Sequence, residues 1–146
     1  CDRLQAMNYG VQRIGHSFQK DGGIDIVAWP QKTEFPFLMA IQAKHHRSPK
    51  YKTGPGPVRE LVGVVQTHPF HAGVLVTNTT FTPDAKWVAE QNPSLVRLRD
   101  IHDIQRWLEN EFLDEYNWQE IPDQITVCPG VIIHLPKSKS VNYRLR

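Results

Sequence analysis

Apolar and polar positions alternate in different rhythms along the chain, and the rhythm marks the elements. Leu4 and Met7 share one side of a helix over residues 2–8, which Gly10 is placed to close as a C-cap. Residues 11–18 have β character, and Asp21-Gly22-Gly23 is a turn signal. Residues 24–29 and 37–44 read as two strands, separated by a Pro-bounded loop over 30–36 and close enough in sequence to form a hairpin. The run Thr53-Gly54-Pro55-Gly56-Pro57 breaks the pattern, and Pro57 suits the first turn of a helix over 58–67 with Val58, Leu61, Val64 and Val65 on one face. Residues 72–77 are a short apolar strand suited to burial on both faces. Thr82-Pro83-Asp84 starts a helix that runs to about Gln91: a capping hydroxyl, a proline at the first position, then an acid near the helix dipole. A strand follows over 95–98. Asp100 then caps a helix over 101–112, whose apolar face is Ile101, Ile104, Trp107 and Leu108.

A hairpin-rich first half followed by β-α-β-α implies an α/β fold, with a mixed sheet and helices on both faces. That organisation assigns residues 1–112 to one domain. Residues 113–146, with Pro122, Pro129, Pro136 and a basic end, read as an irregular extension or linker with one short strand at Val131-Ile132-Ile133. The chain has 146 residues, 40% of them hydrophobic and 22% charged, which suits a globular domain with its own core. No apolar run approaches the roughly 20 residues that cross a bilayer, and no secretory signal is present. The two cysteines, Cys1 and Cys128, form neither a disulfide framework nor a zinc pattern, so a cytoplasmic location is expected. Cys1-Asp2-Arg3-Leu4 looks like the middle of a helix, and a domain cut from a longer protein with further domains is expected.

Net charge is only +2, which excludes a uniformly basic coat but not a local patch. The stretch His45-His46-Arg47-Ser48-Pro49-Lys50-Tyr51-Lys52 contains no acid. It reads either as a solvated loop or as a surface facing a phosphate backbone through His45, His46, Arg47, Lys50 and Lys52.

The chemistry concentrates in the hairpin. Gln42 and Lys44 lie two apart in a strand and share a face, while Ile41 and Ala43 point the other way. A lysine in so apolar a strand needs a partner, and Asp25 on the neighbouring strand supplies one. On spacing alone, two readings stand. Lys44 emerges at the strand end and simply pairs with Asp25, as ion pairs across hairpins do. Alternatively, Asp25 and the Gln42 carbonyl oxygen hold Mg²⁺, and Lys44 assists hydrolysis of a phosphodiester.

Asp21-Gly22-Gly23-Ile24-Asp25-Ile26, Ile41-Gln42-Ala43-Lys44, Val58-Arg59-Glu60-Leu61-Val62-Gly63, Gly73-Val74-Leu75-Val76-Thr77 and Phe81-Thr82-Pro83-Asp84-Ala85 together resemble the successive motifs of the Mrr-like restriction endonucleases, over about residues 4–110. The resemblance implies the PD-(D/E)XK nuclease fold, with Asp25 as the metal-binding acid, Gln42 in the place of the usual Glu (the QxK variant) and Lys44 as the catalytic lysine. It implies Mg²⁺, with Mn²⁺ as a possible substitute, DNA as substrate, and a homodimer in action. It also implies a further Glu from the first helix, at a position upstream of Cys1. Asp21 and Glu60 are candidate auxiliary acids, against plainer roles in a turn and on a helix surface. The biological role implied is restriction of foreign or modified DNA. Two alternatives remain: a non-catalytic DNA-binding or assembly domain, and a structure-specific DNA-repair nuclease.

Other signals are weaker. His45, His46, His68 and His71 lack zinc-ligand spacing. Gly54-Pro55-Gly56-Pro57 lacks the Gly-Lys-Ser/Thr ending of a phosphate loop, and its prolines remove the N–H groups such a loop uses. Trp107 is expected in the core, and no tryptophan is marked as a base-stacking platform. Thr77-Asn78-Thr79-Thr80 follows a strand without any sign of a nucleophile.

Overall fold

In a computed structural model of the chain, residues 1–14, 23–109 and 124–134 are described. The elements in order are α1 (Asp2–Ala6), β1 (Tyr9–Arg13), β2 (Ile26–Pro30), β3 (Met39–Lys44), α2 (Pro55–Thr67), β4 (Ala72–Thr77), α3 (Pro83–Glu90), β5 (Val96–Arg99), α4 (Ile101–Leu108), β6 (Gln124–Cys128) and β7 (Val131–His134). The chain divides into two units, Cys1–Phe112 and Leu113–Arg146.

Strands β1 to β5 form one five-stranded sheet in sequence order. β1, β2 and β3 are antiparallel neighbours, and β3, β4 and β5 run parallel. β3 is the strand at which the sheet changes direction. Its register sets Ala40 beside Gly73, Gln42 beside Leu75 and Lys44 beside Thr77. On this face the side chains of α2 and α3 close the core: Ala40, Val58, Leu61, Leu75 and Ala85 are fully buried, with Val65, Val88 and Val96 around them. Gly73 makes the close approach possible, because a Cβ there would lie 2.8 Å from Leu61 Cγ. The opposite face carries Ala28, Met39, Ile41 and Val74, all buried. Arg99, in register with Val76, belongs to this second face, and its guanidinium lies 5.9 Å from the Trp107 ring of α4. Arg3 of α1 donates to the Leu108 carbonyl at 2.9 Å, so α1 and α4 lie together. The mixed sheet with helices on both faces is therefore the architecture that the element order implied.

Several boundaries differ from the sequence expectation, each for a local reason. Gly10 is not a C-cap: it lies inside β1, where a Cβ would collide with the Trp29 ring, and the left-handed residue after α1 is Asn8 at φ 65°. Asn tolerates that conformation through local hydrogen bonding of its short side chain. α2 starts at Pro55, three residues before Val58, because proline needs no N–H donor at a helix N-terminus. β2 starts at Ile26, so Asp25 precedes the strand instead of sitting within it. Thr82 caps α3 by accepting from Ala85 N at 3.2 Å, and Asp100 and Asp103 form a capping box on α4. α4 ends at Leu108; Trp107 is half-buried, not core, and Leu108 is exposed. Residues 15–22 and 110–123 lie outside the described residues.

The extension after residue 113 is not irregular throughout. β6 and β7 pair as an antiparallel hairpin, with Cys128 opposite Val131. Pro129 and Gly130 form its two-residue turn, and Gly130 has φ 82°. Proline then glycine in the central positions is what a type II turn demands, and β-branched runs flank it on both sides.

Gly73 and Leu61 compete for one volume, which gives a test of the core. Gly73→Ala is expected to destabilise the chain by about 1–3 kcal/mol in urea unfolding, as overpacking does. The Gly73→Ala/Leu61→Ala pair should be less unstable than the sum of the single changes. Additive losses would show that the two side chains do not contend.

Candidate active site

The switch strand supplies two of the site residues and its antiparallel neighbour leads into the third. The β2–β3 ladder runs to Ile26 opposite Ile41, and one further step would set Asp25 opposite Gln42. At that step the regular pairing stops. Asp25 N donates to the Ile41 carbonyl at 2.9 Å, and the Asp25 carboxylate accepts from Ala43 N through Oδ2 at 2.7 Å. A side-chain acceptor thus takes over from the backbone, which fixes the carboxylate against the end of β3. The other oxygen, Oδ1, carries no hydrogen bond among the described residues, and Asp25 is exposed.

Gln42 is the most deeply buried polar group of the site, at 1% exposure. Gly23 shapes the space around its amide. That glycine has φ 67°, and a Cβ there would collide with the Gln42 amide nitrogen. The turn signal before β2 therefore has a second consequence beyond reversing the chain: it leaves room for the amide. Lys44 is half-buried at the end of β3, on the same face as Gln42. Among the described residues no ion pair joins Lys44 to Asp25, so the simple cross-hairpin salt bridge is not what the structure contains. The structure places Gln42 and Lys44 on one face at the end of β3, with Asp25 bonded to Ala43 N between them in sequence.

The donors suit a hard divalent cation. Asp25 has one carboxylate oxygen held and one open, and Gln42 carries an amide oxygen; both are oxygen ligands of the kind Mg²⁺ takes while keeping several waters. Among the described residues no three His, Cys, Asp or Glu side chains converge. Glu60 is exposed on α2, and Asp21 lies outside the described residues.

The histidine-rich stretch divides. His45, Arg47, Lys50 and Lys52 are exposed. His46 instead turns inward, with Nε2 2.9 Å from Thr53 Oγ1. Thr53 Oγ1 in turn donates to Thr77 Oγ1 at 2.9 Å, and both threonines are 1% exposed. Asn78 reaches the same place: its Oδ1 accepts from His46 N at 2.8 Å, and its Nδ2 donates to the His46 carbonyl at 2.9 Å. His68 and His71 lie elsewhere, at the far end of α2, where His71 Nδ1 accepts from Leu38 N at 3.0 Å and the ring stacks on Phe37. Sequence reasoning gave Thr53, Thr77 and Asn78 no role, because the contacts that join them span two loops.

Gly23→Ala tests the cradle. A left-handed backbone carries a cost of about 1–2 kcal/mol for an L-residue, so the variant should lose about that much stability in urea unfolding. Its Gln42 amide should also be displaced, visible as an altered side-chain amide resonance in NMR. An unchanged resonance would mean that Gly23 serves the turn alone.

Comparison with known proteins bears on the family and the fold. The Mrr_cat family, restriction endonuclease, matches residues 1–108. No curated protein matches the chain. The solved structure of AF1548, a protein of unknown function, is similar with a TM-score of 0.60 and 20% identity, covering 76% of this chain and 62% of that one. The MspJI restriction endonuclease in complex with a 27-mer oligonucleotide is similar with a TM-score of 0.58 and 20% identity, covering 80% of this chain and 28% of that one. The chain thus spans less than two thirds of either relative, and at this identity the likeness concerns the fold. Among the described residues no helix is long and apolar enough to cross a membrane. With the family matching residues 1–108 and its fold in place, the chain belongs to the Mrr_cat family of restriction endonucleases.

Proposed function

We propose that this chain is a metal-dependent endodeoxyribonuclease domain that acts on foreign or modified DNA. The observation that carries this reading is the end of the β2–β3 pair, where Gln42 and Lys44 share a face, Asp25 is bonded to Ala43 N of the same strand, and, among the described residues, no salt bridge joins Lys44 to Asp25. Membership of a restriction endonuclease family supports it, and so does the fold shared with MspJI, which was solved with an oligonucleotide.

In this reading Asp25 Oδ1 and the Gln42 amide oxygen hold Mg²⁺, or Mn²⁺ in its place. The cation, when bound, offsets the negative charge that develops at phosphorus and makes a water a better nucleophile. The chain's own groups do the rest. Asp25 is held in place by Ala43 N, so its open oxygen needs little reordering. Lys44, half-buried and unpaired with Asp25, directs its ammonium group at the reacting phosphate and stabilises its charge. The exposed His45, Arg47, Lys50 and Lys52 follow immediately and bear on the backbone of the same strand. Cleavage of both strands needs either two such sites, as in a homodimer, or sequential nicking by one. Base or modification choice would then lie with further domains of a longer protein.

A second reading, a domain that holds DNA without cutting it, is favoured by the small number of acidic ligands among the described residues. Plasmid cleavage separates the two. Wild-type protein with Mg²⁺ is expected to nick or linearise plasmid, EDTA to abolish this, and Lys44→Ala to lower the rate by about two to three orders of magnitude, as loss of a transition-state charge donor does. Cleavage indifferent to Lys44→Ala would assign the activity to another site. DNA binding without cleavage, with Mn²⁺ and on methylated and unmethylated plasmid alike, would establish the second reading.

A further inference from the structure

Arg47, Lys50 and Lys52 lie on a six-residue loop between two anchored points, residues 47–52. The first anchor is His46. Where the β3–β4 ladder ends at Lys44 opposite Thr77, the Asn78 side chain continues it, both accepting from and donating to the His46 backbone. The second anchor is Thr53. It forms a one-residue parallel bridge to Phe81, with Thr53 N donating to the Thr80 carbonyl at 2.9 Å and Thr82 N donating to the Thr53 carbonyl at 3.0 Å. The anchors are joined to each other by His46 Nε2 and Thr53 Oγ1. If the Thr53 hydroxyl gives its proton to Thr77, His46 Nε2–H is the donor in that contact. Between the anchors, Pro49 fixes a turn closed by Tyr51 N donating to the Ser48 carbonyl at 3.2 Å. The whole loop stands three residues beyond Lys44 and contains no acid.

We infer that Asn78, His46 and Thr53 are positioning residues for a clamp on the DNA backbone, in which the exposed cations Arg47, Lys50 and Lys52 grip phosphates next to the one at Lys44. This rests on the nuclease reading and adds how that site holds its strand. An untied loop would have to be ordered on binding, at an entropic cost for each long side chain and backbone unit. Here the stems are ordered on folding, so the cations meet the strand in a fixed arrangement. His46 thereby changes role: it acts through the loop, not by touching DNA itself.

The test is binding of the 146-residue chain to a short duplex DNA in EDTA, followed by fluorescence anisotropy from 50 to 200 mM salt. Each phosphate contact contributes about 0.9 to the slope of log affinity against log salt, so the Arg47→Ala/Lys50→Ala/Lys52→Ala variant should flatten it by about two to three. Asn78→Ala and His46→Ala leave every cation in place, yet each should flatten the slope by about one and weaken binding several-fold. His46→Gln keeps an N–H donor within reach of Thr53 and should restore most of the slope. Melting curves accompany each variant, because a purely structural role would lower the melting temperature and leave the slope of the folded protein unchanged. Wild-type slope and affinity in folded Asn78→Ala and His46→Ala would overturn the clamp. His46→Gln behaving like His46→Ala would overturn the Thr53 link. If Lys44-dependent plasmid nicking persists while the slopes do not move, the clamp alone fails; if wild type neither nicks nor binds, both readings fail.

Discussion

One strand has to satisfy incompatible neighbours. β3 pairs antiparallel on one edge and parallel on the other, its Ala40 is buried in the core under α2 and α3, and it nevertheless carries a glutamine at 1% exposure and a lysine at its end. Burying a polar amide is costly unless its surroundings suit it, and the local structure is arranged around that demand. Gly23 gives up a side chain to make room, Asp25 leaves the ladder to hold the strand end, and Leu75 supplies an apolar neighbour in register. The polar end of the strand and the packing of the sheet are thus two consequences of the same six residues of β3.

Much of this was legible in the sequence because it depends on short-range periodicity. The two-residue spacing of Gln42 and Lys44 fixes a shared face whatever the tertiary structure, and the apolar run of 72–77 and the Thr-Pro-Asp helix start have few alternative meanings. Apolar blocks separated by Pro and Gly gave the order of elements, and with it the mixed sheet. Misplaced features had competing local explanations. Gly10 resembled a cap, but the ring of Trp29 claims the space that its missing side chain leaves, and Asn8 makes the turn instead. Pro129-Gly130 between two β-branched runs did signal a hairpin, but the surrounding prolines and basic residues obscured it.

Contacts between loops had no such signature. Nothing in the spacing of His46, Thr53, Thr77 and Asn78 indicates that they meet, since their hydrogen bonds form only after β3 and β4 lie side by side in parallel register. The same holds for the state of Lys44. A lysine two residues from a glutamine and across a hairpin from an aspartate is compatible with a salt bridge and with a reactive site. In the structure the aspartate turns one oxygen to a backbone N–H of the lysine's own strand, and among the described residues no ion pair joins the two side chains.

The phase of side chains along β3 is set from the β4 side, through a ladder that runs the full length of both strands. The connection from β2 arrives at the other end, through residues 31–38, which belong to no helix or strand. A residue gained or lost in that connection is absorbed there, and Gln42 and Lys44 stay on their face. A residue gained or lost between Met39 and Gln42 would move Gln42 and Lys44 together to the opposite face of the strand. The hairpin therefore separates a part of the chain that can absorb a change in length from a part whose length fixes which face its polar groups take.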